Sequence, residues 1–189
     1  MLTGTLVRLR PLEMSDLDRC LAWINDAEVT HFLEARYPFS RAAEEEWLAG
    51  AVKRTRPPDI VLAIETLAEG RHIGTLSLGS VHGEDRKATF GILIGDKEFW
   101  SRGYGTDATL TLLRFAFDEV NLRRVVLHVH EDNDRAIACY RKCGFVEEGR
   151  LRQDRYRHGV YIDTLVMGVL ADEFRALHGE SEAADIRSS

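Results

Sequence analysis

The chain has 189 residues, of which 44% are hydrophobic and 30% charged, with a net charge of -6. That length supports one core of ordinary size, so a single domain is expected. No apolar run approaches the roughly 20 residues of a membrane helix, and the opening MLTGTLVRLRPLEM lacks the basic, apolar and small-residue blocks of an export signal. The acidic balance argues against a nucleic-acid partner and suits cationic or amine-bearing ligands, as well as simple solubility. Cys20, Cys139 and Cys143 cannot all pair within one chain, and no zinc pattern joins them to His128 and His130. A reduced, cytoplasmic protein without a metal is the expectation.

In chain order, Thr5 to Arg10 alternates as a strand, and Ser15 is placed to cap a helix through Leu17, Leu21 and Ile24. Ser40 caps a second helix, which Pro57 and Pro58 close off. Ile60 to Thr66 and His72 to Leu78 form a hairpin about Ala68-Glu69-Gly70, and Lys87 to Ile94 is a further strand whose Gly91 and Gly95 suggest a bulge or a close backbone approach. Gly105 to Glu119 carries one apolar helix face, and Arg124 to His130 alternates as a strand. Strand, helix and strand in this order make a right-handed crossover between parallel strands. Asn133 caps a helix ended by Gly144, and strands over Phe145 to Leu151 and Val160 to Val169 precede a helix from Asp172 to His178. The domain is thus expected over residues 1–178, with a polar, disordered tail over 179–189.

The run Trp100-Ser101-Arg102-Gly103-Tyr104-Gly105-Thr106-Asp107-Ala108 is a glycine-rich loop opening into a helix. The first helical turn leaves N–H groups unpaired and partly positive, and glycines let backbone approach phosphate oxygens, so a diphosphate is the natural ligand. The same letters satisfy G-x-G-x-x-A. A dinucleotide fold is disfavoured because Asp96 to Arg102 separates the strand from the first glycine, and the available acid, Glu131, lies 28 positions beyond Gly103.

FGILIGDKEFWSRGYGTDA, HVHEDNDRAIACYRKCGFVEEG and GVYIDTLVMGVL, taken together and in this order, resemble the core motifs of the GCN5-related N-acetyltransferases (GNAT). The resemblance is to the branch holding ribosomal-protein N-terminal and spermidine acetyltransferases. It covers roughly Phe90 to Leu170, and departs from the family pattern at Trp100, where Gln or Arg is common. It implies an α/β fold: a twisted mixed sheet of about seven strands flanked by helices, its two central parallel strands splayed. It also implies acetyl transfer from acetyl-CoA to a primary amine within a ternary complex.

By that resemblance, the backbone of Arg102, Gly103, Tyr104, Gly105 and Thr106 holds the CoA diphosphate. Asn133 contacts the pantetheine or caps its helix. Ile92, Leu93, Ile94 and Gly95 present backbone groups to pantetheine and the thioester oxygen. Tyr140 matches the general acid for the departing thiolate, with packing beside Ile137 as its plainer role. Glu34, Glu98, His128, His130 and Glu131 are candidates to carry the amine's proton, and Glu34 is also placed to attract a cationic acceptor. Cys139 and Cys143 are expected to pack, not to form an acyl-enzyme. A CoA-binding module without catalysis remains the alternative, and a homo-oligomer is left open.

Overall fold

A computed structural model describes residues 2–157 and 159–179. The tail expected to be disordered lies outside them, apart from Gly179. The sheet opens with β1 (Leu2–Thr3) and β2 (Val7–Pro11), and helices α1 (Leu17–Ile24) and α2 (Arg41–Ala51) follow. Next come β3 (Thr55–Arg56), β4 (Asp59–Thr66), β5 (His72–His82) and β6 (Lys87–Ile94). Helix α3 (Tyr104–Asp118) crosses to β7 (Arg124–His130), α4 (Asp134–Lys142) leads to β8 (Val146–Arg157) and β9 (Val160–Leu170), and α5 (Ala171–His178) ends the described fold.

Among the described residues nine strands join one sheet in the order β1-β2-β4-β5-β6-β7-β9-β8, with β3 paired to β4. The two strands beyond the expected seven are the two-residue β1 and β3, too short to show any periodicity. Among the described strands only β6 and β7 run parallel, and α3 is their crossover. Strand β4 reads as a continuous apolar run because both its faces are covered. Ile60, Leu62 and Ile64 join the main core with Leu112 and Ala116 of α3, whereas Val61 and Ala63 pack with Leu17, Leu48 and Ala51 of the α1–α2 layer.

Ser40 caps α2 as expected, its hydroxyl accepting from Ala43 N at 3.1 Å. Ser15 does not cap α1. Glu13 instead begins a 3-10 turn over Met14–Asp16, its N–H bonded to the Asp16 carboxylate at 2.9 Å, and α1 continues from that turn. The prolines lie between β3 and β4, beyond the end of α2. The register irregularity of β5–β6 falls between Gly79 and His82, away from Gly91. Gly95 marks a close approach: a Cβ there would sit 2.1 Å from the Trp23 ring.

Candidate active site

The parallel strands pair only through Lys87–Arg124, Ala88–Val125 and Thr89–Val126, and then part. A cleft of about 560 Å³ opens beyond that point, with Phe90 to Ile94 on one wall and His128 to His130 on the other. Gly95 N–H donates to Ile73 O on β5 at 2.9 Å. Alternation along an antiparallel strand then turns the polar backbone groups of Leu93 and Gly91 toward β5, and those of Ile92 and Ile94 toward the gap. The Ile94 carbonyl agrees with this, since it accepts from Trp100 Nε1 at 2.7 Å. Of the four positions named from the sequence, Ile92 and Ile94 turn their backbone groups toward the gap. Leu93 and Gly95 are turned away because their amides serve the β5 ladder.

Gly103, with φ of 87°, precedes α3 in a left-handed conformation that a side chain would strain. Asp107 N–H makes the first helical bond, to Gly103 O at 2.9 Å, so the N–H groups of Tyr104, Gly105 and Thr106 have no acceptor within the helix. The Arg102 side chain lies outside this cradle, bonded to Glu98 O at 3.0 Å and stacked over Phe99. The helix start is fixed from behind by Asp107. Its carboxylate accepts from Thr5 N (2.9 Å), Thr5 Oγ1 (2.8 Å), Leu6 N (2.8 Å) and Val7 N (3.0 Å), tying the first strands to the loop. An acid in a helix's first turn was the only sequence signal for this clasp.

Tyr140 lies on the buried face of α4, edge-on to Phe90 and Phe145 at 6.1 and 5.8 Å between ring centres, and it also lines the cleft. Its hydroxyl has no hydrogen-bond partner among the described residues. Burial, reinforced by Cys139 and Cys143, pushes the phenol pKa up, so it stays protonated. Asn133 caps α4 through Ala136 N at 3.2 Å while lining the cleft. Cys143 is fully buried, whereas Cys139 reaches the cleft with Sγ 3.3 Å from Thr106 Oγ1. Both cysteines pack against the main core, as expected, and Cys139 in addition borders the cleft. The neighbouring Cys143 thiol, outweighing burial, holds the Cys139 thiol below its ordinary pKa.

The far end of the cleft is covered by Val29, Phe32, Leu33 and Glu34 from the segment between α1 and α2. Arg157 Nη2 holds that segment through the carbonyls of Thr30 (3.3 Å), Leu33 and Ala35 (3.2 Å). Glu34 pairs with Arg155, so its charge is already matched. The spacing of Arg155 and Arg157, two apart on one strand, was the missed sequence signal. His128 and His130 line the opposite wall. Glu98 is placed outside the cleft, its carboxylate 2.9 Å from Arg71, and Glu131 is taken up by Arg150 and by Asp163 N. No metal-ligating cluster occurs among the described residues, and none of their helices is long and apolar enough to cross a membrane.

Splayed parallel strands beside a glycine loop at a helix start define an acyltransferase of the GNAT type, and comparison with known proteins agrees. Residues 7–146 match the family model described as an acetyltransferase (GNAT) domain. A spermidine N(1)-acetyltransferase of Escherichia coli (strain K12) is 27% identical over 172 residues, covering 91% of this chain and 90% of that protein. The uncharacterized N-acetyltransferase YokL of Bacillus subtilis (strain 168), derived from prophage SPbeta, is 34% identical over 179 residues, covering 94% and 97%. A crystal structure of the Vibrio cholerae spermidine N-acetyltransferase in complex with CoA and spermine superposes with a TM-score of 0.80 at 27% identity, covering 89% of this chain and 97% of that one. The chain belongs to the GNAT acetyltransferase family.

Proposed function

We propose that residues 1–178 act as one domain that transfers the acetyl group of acetyl-CoA directly to a primary amine. The observation that carries this reading is the continuity of the cleft, which joins Gly103, Gly105 and Thr106 at the open start of α3 to the gap between β6 and β7 and then to the cover from Val29, Phe32, Leu33 and Glu34. The first-turn amides, carrying the positive end of the α3 dipole, bind the CoA diphosphate. Asn133 borders the path of the pantetheine arm. The Ile92 and Ile94 N–H groups face the thioester and stabilise the oxygen that becomes negative when the amine attacks. Tyr140 donates its proton, or a hydrogen bond, to the departing sulfur.

Direct transfer is favoured over an acyl-enzyme by the position of Cys139. Its sulfur lies 3.3 Å from Thr106 Oγ1, against the start of α3 at the diphosphate end of the cleft. Glu34 was expected to recruit a positively charged acceptor. A polycation remains compatible with the similarity to spermidine acetyltransferases, but it must first compete with Arg155 for that carboxylate. A cytoplasmic setting accords with the three free thiols.

The reading is tested by following free CoA when the protein is given acetyl-CoA and a panel of amines: a dipeptide amide, spermidine and an aminosugar. Amine-dependent release is expected. Binding of acetyl-CoA with no release for any amine would point to the alternative, a CoA-binding module without catalysis.

A further inference from the structure

We propose that His130 is the group that takes the proton from the acceptor amine, and that the site is thereby matched to an α-amine, such as a peptide N-terminus, instead of a polyamine. The proposal rests on the acetyl-transfer reading and adds to it the missing base and the acceptor class.

Placement is the main ground. Along β7, Val125, Leu127 and Val129 enter the core, so His128 and His130 project from the opposite face, toward the acceptor cover. His128 is exposed, whereas His130 is only 8% exposed and still lines the cleft. Its ring meets Phe32 of the cover edge-on, at 6.2 Å between centres. Neither ring nitrogen has a hydrogen-bond partner among the described residues. A buried imidazole facing a cavity without a partner is held ready for one.

The surroundings set its protonation state. Asp132 in the following turn and Glu34 in the cover favour the charged ring, while Arg155 and Arg157 on β8 oppose it. Tyr140 on α4 lines the same cleft, and His31 meets Phe32 edge-on at 4.5 Å between ring centres. Burial acts in the same direction as the arginines and is the largest influence, so His130 is held below its ordinary 6.5 and is neutral near pH 7. The three rival acids are not free: Glu98 is outside the cleft, Glu34 is engaged by Arg155, and Glu131 is taken up by Arg150.

The proton count closes. An ammonium acceptor gives one proton to the His130 imidazole, and its freed nitrogen pair then forms the new C–N bond. Collapse breaks the C–S bond, and the thiolate takes a proton from Tyr140. The nitrogen's second proton restores Tyr140 through solvent, and His130 releases its own to water. A neutral imidazole of depressed pKa is a weak base. Taking a proton from an α-amine near pKa 7.7–8.0 is modestly uphill, whereas from a lysine-like amine near 10.4 it is far less favourable.

The test compares the parent with His130→Gln and His130→Asn, using a dipeptide amide and spermidine at saturating acetyl-CoA. The parent is expected to have the higher kcat/KM for the dipeptide amide. Both variants should lose about 5- to 10-fold at pH 7, where most of the α-amine is still ammonium, while keeping acetyl-CoA affinity and thermal stability. They should recover most of that loss by about pH 9, where the α-amine is already neutral. Unchanged kcat/KM at pH 7, or the same loss at pH 7 and pH 9, would overturn the role. A parent preference for spermidine would overturn the acceptor class. A parent that turns over neither amine, nor any other in the panel, would remove the transferase reading itself.

Discussion

The indole N–H of Trp100 donates to the carbonyl of Ile94 at 2.7 Å, joining the end of the splayed strand to the start of the phosphate-type loop. The guanidinium of Arg135 covers the same ring at 4.0 Å. Trp100 is also the position that departs from the usual family pattern. Replacing it with Phe keeps an aromatic ring but leaves the Ile94 carbonyl without that donor. A loss of about 1–2 kcal/mol in denaturant unfolding is expected, with weaker acetyl-CoA binding by calorimetry. Unaltered values for both would show that the link is dispensable.

Asp107 predicts a larger effect. Asp107→Ala removes the acceptor for three backbone N–H groups, of which only that of Val7 is fully buried. Unfolding free energy should fall by about 2–4 kcal/mol. The acetyl-CoA affinity should fall with it, because the clasp orients the start of α3. Loss of stability with intact affinity would separate the clasp from the loop.

Acid should act through the same carboxylate and through Asp16. Burial opposes ionisation of both. It is outweighed at Asp107 by the Thr5, Leu6 and Val7 donors, and at Asp16 by Arg10, His72 and the Glu13 amide, so both pKa values lie below the usual carboxylate range. A depressed folded pKa means the unfolded chain binds more protons. Their contribution is therefore fully present above about pH 4 and is lost as pH falls through the lower folded values. Thermal melts should decline below pH 4, and less steeply in Asp107→Asn. Identical acid profiles would contradict this.

Tyr140→Phe should bind acetyl-CoA as the parent does and turn over about 100-fold more slowly or worse, provided chemistry limits the rate. Because burial raises the phenol, the parent should show no alkaline loss assignable to Tyr140 below about pH 10. Equal turnover of the two proteins would leave Tyr140 as a packed aromatic beside Phe90 and Phe145.

What the sequence made legible was local. Ser40 and Asn133 are caps because a cap needs only its next three residues, and β7 keeps its expected limits because valine-rich alternation marks it end to end. Ser15 failed as a cap because Asp16, held through both oxygens at 2.9 Å by Arg10 of β2, accepts the Glu13 N–H and starts the turn two residues earlier. The same limit applies at the site. The glycine loop was readable, but which of Ile92 to Gly95 faces the gap depends on the phase of the β5–β6 pairing, set by the Gly95–Ile73 bond across the sheet. The proton carriers could not be separated until Arg71 was found on Glu98 and Arg155 on Glu34.

Amide hydrogen exchange with and without acetyl-CoA tests the central claim most directly, since it reports on single N–H groups. The amides of Tyr104, Gly105, Thr106, Ile92 and Ile94 should become protected on binding. That of Gly95, already bonded to Ile73, should change little. Binding that leaves the Tyr104–Thr106 amides unprotected, or that protects Gly95 in place of Ile92 and Ile94, would contradict the site described.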